Sequence, residues 1–420
     1  MRASRFVFPL VTFIRGVNLK SNLRFASLTW FALALLLLPA RPAQAQTYAV
    51  VHSFAGAPVD GSDPLGGLAL GSDGNFYGTT AHGGFHNQGT IFKLTQAGVE
   101  TVLYSFTGIT DGGVPQGGLF RDPQGNLFGT ASQGGNASCA CGVVFELTTA
   151  NTLSVIYNFQ AGTDGSTPTD RLISINGELY GTTQFGGTGC SSTGGCGTIF
   201  KVTENGHETV IYRFTGDSDG FGPQGLIRDP DANLFGVTIA GNDNFGTAFE
   251  LSASGQFSIL HTFTGGSDGA SPSGRLLRDT NGNLRGATQG GGDPTCFCGV
   301  IFFINPAGDF RVLKTFFSRP NGAEPITGPL DVSAILYGVT GFGGDMNCQG
   351  QAGGCGVLFQ IGKTGTYSVL HRFTGDGDGQ VPTSQLILGS GGNIYGETAG
   401  GGTGTNCGSI GCGTIFRYKP

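Results

Sequence analysis

Six aspartates recur through this sequence in one setting, since each is followed by glycine and stands four residues before a proline. Carboxylate oxygens are ligands that Ca²⁺ prefers, so aspartates in repeated loops are candidate calcium ligands. Two of the stretches, from Asp217 to Gly220 and from Asp376 to Gly379, resemble fragments of calcium-binding loops. The candidate calcium ligands are Asp60, Asp111, Asp164, Asp219, Asp268 and Asp378, with Asn321 in the seventh place.

The same aspartates also fit a purely structural role. Aspartate before glycine accepts hydrogen bonds from nearby backbone N–H groups in tight turns, and proline then sets the entry to the next strand. Neither calcium-like stretch carries the later glutamate that completes a calcium loop of the EF-hand type. We therefore expect turn chemistry first and Ca²⁺ as the alternative, and we predict no other cofactor.

Two arginines replace small residues in the short glycine- and leucine-containing stretch that follows these prolines. They are Arg171 and Arg275, and Asp170 precedes the first of them. Guanidinium groups bind carboxylates and other anions through paired N–H donors. We predict that these three residues contact an anionic or sugar ligand. No catalytic residue is predicted, because no nucleophile motif, phosphate loop or dinucleotide fingerprint occurs in a strand–helix setting.

The ten cysteines fall into five local pairs. An even number of cysteines in an exported chain indicates disulfides formed outside the cytoplasm. Each bridge would close a very short loop and contribute about 2 kcal/mol. A metal or redox site is the alternative, since Cys-x-Cys can chelate a metal, but the pairs lie in separate repeats. The pairs are Cys139 and Cys141, Cys190 and Cys196, Cys296 and Cys298, Cys348 and Cys355, and Cys407 and Cys412.

Residues 1–45 have the composition of a secretory signal peptide. Six basic residues and no acidic ones are accompanied by an apolar run from Trp30 to Leu38 and a cleavage-like Ala-Gln-Ala ending at Ala45. A retained membrane anchor is the alternative, although the run is short for roughly 30 Å of hydrocarbon. The rest of the chain has 16 basic and 28 acidic residues, a formal charge of −12. This charge argues against nucleic acid and anionic membranes as partners.

The chain from residue 46 onward repeats one pattern seven times, at a spacing of about 50 residues that is typical of propellers and other repeat arrays. One phrase, Asn-Phe-Tyr-Gly-Thr-Thr, has its glycine at positions 78, 129, 181, 236, 286, 338 and 396. A second, Gly-Thr-Ile-Phe-Lys-Leu-Thr, has its phenylalanine at 92, 145, 200, 249, 302, 359 and 416. A third ends in phenylalanine at 54, 106, 159, 214, 263, 316 and 373.

Each phrase predicts a strand, because it is short, rich in aromatic and β-branched residues and bounded by turn residues. Two-residue hairpins are predicted between the first and second strands of three units, because Asp-Gly or Asn-Gly occurs there. These dipeptides begin at Asp73, Asn176 and Asn281. Histidines at 52, 261 and 371 take the place of Tyr104 and its equivalents, which indicates packing or rim residues. Helical periodicity is absent after residue 45.

The two ends of the chain predict a closed ring. The repeat region starts with a lone fourth strand, Tyr48 to Phe54, and stops after a third strand, Gly413 to Tyr418. Completing the last blade with the first strand removes a sheet edge, whereas an open stack would need polar caps. We therefore predict an all-β fold, a seven-bladed β-propeller of four-stranded antiparallel blades, over residues 46–420. The aspartate turns and the cysteine loops should share one face, with the aspartates around the channel mouth.

The phrases Asn-Leu-Tyr-Gly-Thr-Thr, Gly-Thr-Ile-Phe-Lys-Leu-Thr and Val-Leu-Tyr-Ser-Phe-Thr-Gly-x-x-Asp-Gly resemble the Gloeo/Verruco (GloVer) tandem repeat over all of residues 46–420. This resemblance implies a secreted or surface-displayed bacterial repeat protein, often with an anchoring tail, and no established activity. The chain departs from the pattern at Arg285, Asn321 and Pro329. We also expect no anchor after the last strand. A more distant likeness to virginiamycin B lyase propellers implies an enzyme instead.

We therefore expect an exported binding or interaction module, located outside the cell or in the periplasm, with a carbohydrate or protein ligand on the loop-rich face. The alternative is an extracellular lyase or hydrolase with its site at the channel mouth, since one fold hosts both kinds of function. We also expect a monomer without a membrane anchor after cleavage.

Overall fold

The computed structural model describes residues 46–187, 189–190, 194–241, 245–317, 319–348, 351 and 353–420. The predicted signal peptide lies outside these residues. The described chain is nearly all β, and its helical turns are short 3-10 segments at Arg319–Asn321, Ser390–Gly392 and Gly408–Ile410. No described helix has both the length and the apolar character that crossing a membrane requires.

Seven antiparallel sheets form a seven-bladed β-propeller, which confirms the predicted fold class. In each blade the strands are given from the innermost to the outermost. Blade 1 contains Ala69–Leu70, Phe76–Thr80, Thr90–Leu94 and Glu100–Ser105; blade 2, Phe120–Arg121, Leu127–Ala131, Val143–Leu147 and Leu153–Asn158; blade 3, Ile173–Ile175, Glu178–Thr183, Thr198–Val202 and Glu208–Arg213; and blade 4, Phe221–Arg228, Leu234–Ala240, Thr247–Leu251 and Phe257–Thr262.

The innermost strand is divided into two pieces in the last two blades. Blade 5 contains Ala270–Arg278, Leu284–Gly290, Val300–Ile304 and Phe310–Thr315; blade 6, Ala323–Pro325 with Leu330–Val332, then Ile335–Phe342, Val357–Ile361 and Tyr367–Arg372; and blade 7, Gln380–Pro382 with Ile387–Leu388, then Ile394–Gly400, Thr414–Lys419 and Thr47–Ser53. A separate two-stranded pair joins Gly61–Ser62 to His82–Gly83.

The ring closes as predicted, because the first strand of the chain is the outermost strand of the last blade. Thr47–Ser53 pairs antiparallel with Thr414–Lys419, and Thr47 lies opposite Lys419. The N–H of Phe54 continues the pairing by donating to the carbonyl of Gly413. The edge of blade 7 is thus covered by a strand more than 350 residues away in sequence.

The mid-strand glycine of each repeat faces the phenylalanine of the neighbouring third strand. In blade 5, Gly286 lies opposite Phe302, and a Cβ atom added to Gly286 would lie 2.3 Å from the ring. The same distance is 2.4–2.7 Å in the other six blades. All seven phenylalanines are fully buried. The glycine is therefore needed for space in the second strand, so that the ring can lie flat against the main chain.

The blades pack on one another through a second set of buried phenylalanines, at the ends of the outermost strands. Each of these rings meets the third-strand ring of the next blade edge to face, as Phe263 meets Phe302. The ring centroids lie 5.1–5.5 Å apart at all seven junctions, including Phe54 with Phe92 at the closing junction. This is the preferred geometry of aromatic pairs.

A glycine–proline contact also recurs between all seven pairs of blades. The glycine that precedes each third strand has a positive φ, and a Cβ added there would lie 2.5–2.8 Å from the Cδ atom of the next blade's turn proline. Gly89 faces Pro115 in this way, and Gly413 faces Pro64 where the ring closes. The absence of a side chain on these glycines lets neighbouring blades approach closely at all seven contacts.

Only one of the three predicted two-residue hairpins is present. Asn176 and Gly177 both have positive φ and join strands that end at Ile175 and begin at Glu178. The loops at Asp73 and Asn281 are longer, because a carboxylate organises a wider turn. In the second of them, Asp279 accepts hydrogen bonds from the main chain of Asn281 and from both the main chain and the side chain of Asn283.

Candidate binding site at the central channel

A cavity of about 190 Å³ lies on the axis of the propeller. Residues that follow the turn prolines in all seven blades line it, which places it at the mouth of the central channel. Roughly 300–1,000 Å³ is typical of pockets for drug-sized ligands, so this cavity fits a smaller group. The polar side chains in its wall are Gln116, Thr169, Asp170, Arg171, Gln224, Ser273, Arg275, Gln289, Thr327, Thr383, Ser384 and Gln385.

Glycines bring the main chains of neighbouring blades into contact around this cavity. A Cβ atom at Gly117 would lie 2.5 Å from the carbonyl oxygen of Asp170, and one at Gly225 would lie 2.2 Å from that of Gly274. The polar side chains of the wall therefore project from a tightly packed ring of backbone.

The three predicted ligand-binding residues, Asp170, Arg171 and Arg275, all line this cavity. One carboxylate oxygen of Asp170 accepts hydrogen bonds from the Thr182 hydroxyl at 2.7 Å and from the Gly225 N–H at 2.6 Å. Arg275 donates to the carbonyl of Leu226 at 3.1 Å, and its Nε is buried without a partner. Within the described residues, the Arg171 side chain has no hydrogen-bond or ion-pair partner.

The surroundings disfavour the charged form of both arginines. Burial and the positive charge of Arg275 lower the pKa of Arg171 to about 10. Burial also lowers the pKa of Arg275, although Asp170 opposes this effect. Burial raises the pKa of Asp170, against its hydrogen bonds and the charge of Arg275. An anion entering the cavity would relieve the repulsion between the two guanidinium groups.

A second cavity, of about 330 Å³, continues from the first along the innermost strands. Arg171 and Arg275 line both cavities, together with Phe120, Ser174 and Arg228 in the second. The two arginines therefore lie where the two cavities adjoin.

Glu397 is a candidate functional residue that the sequence analysis missed. It is 1% exposed and lies beside Ser384, which lines the cavity. One carboxylate oxygen accepts the Gly67 N–H at 2.9 Å, and the other is buried without a hydrogen-bond partner. Other repeats have threonine, valine or alanine at this position, so an alignment of the repeats would have identified the exception.

Burial raises the pKa of Glu397 to about 7, from an ordinary value of 4.5. The folded chain therefore holds this proton more tightly than the unfolded chain, and the contribution of Glu397 to stability falls as the pH rises from 4.5 to 7. We expect Glu397→Gln to leave stability nearly unchanged at pH 4.5 and to increase it by about 2–3 kcal/mol at pH 8. Urea unfolding at both pH values measures this difference.

The matched control is Glu204→Gln, which removes an exposed carboxylate. It should change stability by less than about 0.5 kcal/mol at either pH. An equal effect of Glu397→Gln at pH 4.5 and pH 8 would contradict the raised pKa.

The six repeated aspartates do not line the channel cavity, so the ring predicted around the channel mouth is wrong. Their carboxylates turn back toward the outermost strand, because donors are available there. Asp111 accepts the N–H of Thr107 and the hydroxyl of Tyr104, and Asp378 is bound in the same way by Thr374 and His371. The corresponding donors to the others are the N–H groups of Ala55, Gln160, Thr215 and Thr264. These bonds support the turn interpretation, and calcium binding stays a prediction.

The ten cysteines lie together in the five predicted local pairs. Their Cα atoms are 5.2–5.4 Å apart in each pair, within the range that a disulfide spans. Each pair lies in the loop between the second and third strands of its blade. The spacing suits disulfides that each close one loop.

Comparisons with known proteins agree with this architecture. The model of the Gloeobacter/Verrucomicrobia repeat matches residues 40–194 and 188–410. No curated protein matches the chain.

Two similar solved structures come from B. thetaiotaomicron: the extracellular domains assigned to a hybrid two-component system and to a one-component system. They are 12% and 14% identical, match 89% of this chain, and have TM-scores of 0.53. The chain spans 41% and 42% of their lengths. A gluconolactonase from Xanthomonas campestris is 11% identical over 89% of each chain, with a TM-score of 0.44. At these identities the likeness concerns the fold alone.

Proposed function

The chain belongs to the Gloeobacter/Verrucomicrobia repeat family, and on that premise we propose that it is an exported binding module that takes a small anionic group at its channel mouth. The ligand class is an acidic carbohydrate, bound through the carboxylate of a sugar ring. The disulfide-like cysteine pairs support a location outside the cytoplasm. A monomer is the expected state.

One observation carries this proposal: two half-buried guanidinium groups line one cavity, where the charge of Arg275 helps to lower the pKa of Arg171. Asp170 is the carboxylate in the described wall of that cavity, so the wall carries an excess of positive charge. The rest of the chain from residue 46 has a formal charge of −12. A positive cavity in an acidic protein selects anions at that point and disfavours them elsewhere on the surface.

The remaining wall residues favour a sugar over an apolar ligand. Gln116, Gln224, Ser384 and Thr383 offer amide and hydroxyl groups, which donate and accept hydrogen bonds as sugar hydroxyls require. No described wall residue is aromatic. A protein ligand on the surrounding loop-rich face is the other form of the same proposal, with an acidic side chain entering the cavity.

The test is calorimetric titration of the purified chain with galacturonate and with the neutral sugar galactose. We expect binding of galacturonate and at least about tenfold weaker binding of galactose, because charge-assisted hydrogen bonds are worth about 1.5–3 kcal/mol. Arg171→Gln and Arg275→Gln should each weaken galacturonate binding by about tenfold or more.

The control variant is Arg372→Gln, which removes an exposed guanidinium that binds the carbonyl of Pro320 on the outside of the ring. It should leave the affinity unchanged. Equal affinities for galacturonate and galactose, or equal losses in all three arginine variants, would exclude the channel mouth as the anion site.

Glu397 favours a second candidate function, an extracellular lyase or hydrolase. A carboxyl group with a pKa of about 7, beside the Ser384 hydroxyl, has the proton affinity that a general acid or base needs near neutral pH. To test this activity, the chain is incubated with polygalacturonate. New reducing ends are then measured, and unsaturated products are measured to identify a lyase. Loss of product formation in Glu397→Gln would support it, and no product from the unmodified chain would leave the binding function alone.

A further inference from the structure

Neighbouring blades also meet through a pair of side chains near the outer rim, which we call the outer junction. One partner lies near the end of an outermost strand, and the other lies at the start of the next blade's outermost strand. His261 stacks on Phe310 with 3.7 Å between ring centroids, and His371 stacks on Tyr48 at the same distance. Each of these histidines also contacts its turn aspartate, at 3.2 and 2.9 Å.

The junction between blade 7 and blade 1 departs from this arrangement. His52 has Glu100 as its partner where the other histidine junctions have an aromatic ring. The distance from His52 Nε2 to Asp60 Oδ2 is 3.7 Å, which is too long for a hydrogen bond. One ligating atom each from His52, Asp60 and Glu100 lie within 4.8 Å of one another.

Two polar atoms in this cluster are buried without a hydrogen-bond partner. They are His52 Nε2 and Glu100 Oε1. Buried polar atoms normally have partners, and an exception needs an explanation such as a bound ion. Asp60 is held in place by the N–H groups of Ala55 and Gly61 at 2.7 and 2.6 Å. The cluster thus combines the fixed carboxylate of Asp60 with two buried atoms that lack a hydrogen-bond partner.

We propose that His52, Asp60 and Glu100 bind a divalent transition-metal ion of the Zn²⁺ type. One imidazole nitrogen and two carboxylate oxygens are three of the four ligands that Zn²⁺ takes in tetrahedral sites, and water supplies the fourth. Ligands about 2.0–2.2 Å from such an ion lie roughly 3.3–3.6 Å apart. The 3.7 Å between His52 and Asp60 is close to this spacing, and the cluster as a whole, within 4.8 Å, must contract by up to about 1 Å. Two carboxylates balance the charge of the ion. Ca²⁺ fits less well, because it takes six to eight oxygen ligands.

The carboxylates of Asp60 and Glu100 meet at this position, with ligand atoms within 4.8 Å of each other. A metal ion between the two carboxylates would replace their repulsion by attraction. The ion would also connect the closing strand, which carries His52, to the outermost strand of blade 1.

The other outer junctions lack one or more of these ligands, which explains why the site is confined to the junction between blade 7 and blade 1. Glu208 occupies the position of Glu100 in blade 3, and its Oε1 is also buried without a hydrogen-bond partner. The opposing residue there is Tyr157, whose hydroxyl donates to Asp164 at 2.9 Å. No imidazole nitrogen is present there. His261 and His371 have aromatic partners in place of a second carboxylate. Of the seven junctions in the described chain, the blade 7 to blade 1 junction has histidine, aspartate and glutamate together.

The test is calorimetric titration of ZnCl₂ into purified chain that carries no histidine tag and has been dialysed against EDTA and then metal-free buffer. We expect one equivalent to bind with the highest affinity. The variant His52→Tyr with Glu100→Leu copies the residues found at the next junction, Tyr104 and Leu153, and should weaken that affinity by at least about tenfold. His261→Tyr is the matched control and should bind Zn²⁺ like the unmodified chain.

A crystal of the unmodified chain grown with Zn²⁺ gives a second measurement that does not depend on any variant. An anomalous difference peak within bonding distance of His52 Nε2 and both carboxylates is expected. Equal Zn²⁺ affinity in the double variant and the unmodified chain, a response to CaCl₂ without one to ZnCl₂, or a peak elsewhere would overturn the site. None of these outcomes depends on sugar binding at the channel mouth.

Discussion

A chain that lacks residues 46–54 is expected to lose cooperative folding. This deletion removes the outermost strand of blade 7 and leaves Thr414–Lys419 as an open edge. It also removes the fully buried ring of Phe54, which packs against Phe92 of blade 1. Loss of a buried phenylalanine side chain alone costs about 3–5 kcal/mol, against a total stability of roughly 5–15 kcal/mol for a folded protein. Thermal melting followed by circular dichroism measures the loss.

A circular permutant separates the role of the strand from its position in the sequence. Thr47 lies opposite Lys419, so an Asn-Gly turn can join these two residues in a hairpin. A chain that begins at Ala55 and ends with this turn followed by residues 47–54 should melt within a few degrees of the original. If the deletion variant melts like the full chain, the closing strand does not hold the ring together.

Phe302→Ala is expected to destabilise the propeller by about 3–5 kcal/mol. Phe302 is fully buried, lies flat against Gly286 within its blade, and meets Phe263 of the preceding blade edge to face. Its removal therefore leaves a cavity both within a blade and between two blades. Urea unfolding should show a lower midpoint with an unchanged slope.

The glycine opposite this ring provides the converse test. Gly286→Ala places a methyl group against Phe302 and should cost about 1–3 kcal/mol. Combining Gly286→Ala with Phe302→Leu should cost less than the sum of the two single changes, because a smaller side chain makes room for the methyl group. Gly162→Ala is the control for adding a methyl group alone, because its φ is not positive and the added atom would lie 3.9 Å from its nearest neighbour. Additive losses would show that the two positions do not share this contact.

The fold was predictable because each blade repeats the same packing problem. Each repeat has a glycine in its second strand and a phenylalanine in its third strand at fixed positions. The structure places each phenylalanine against the glycine of the same blade. The unmatched fourth strand at Tyr48 predicted ring closure, and it pairs with Thr414–Lys419 as expected. The hairpins were less predictable, because Asp279 and its equivalents widen the turn by binding their own loop.

The site was predictable only in part. Arg171 and Arg275 were identified because they break the repeat at a position that faces the channel. The turn aspartates were placed wrongly, because their donors on the outermost strand come from residues four to seven positions earlier, and which way a side chain turns depends on coordinates. Glu397 and the pair of His52 with Glu100 were missed for related reasons. Burial without a partner is a property of the folded chain, and Glu100 lies in a different blade from His52.

The glycine–proline contact between neighbouring blades has a consequence for how such chains change in length. The same contact, with the same close spacing, joins every blade to the next, including Gly413 to Pro64. A contact that recurs at one spacing is expected to go with nearly equal rotations between neighbours, and seven such rotations complete the circle. The number of blades would then be set by the angle at the interface between neighbouring blades. Adding or removing a blade would therefore require all the remaining interfaces to change their angle together.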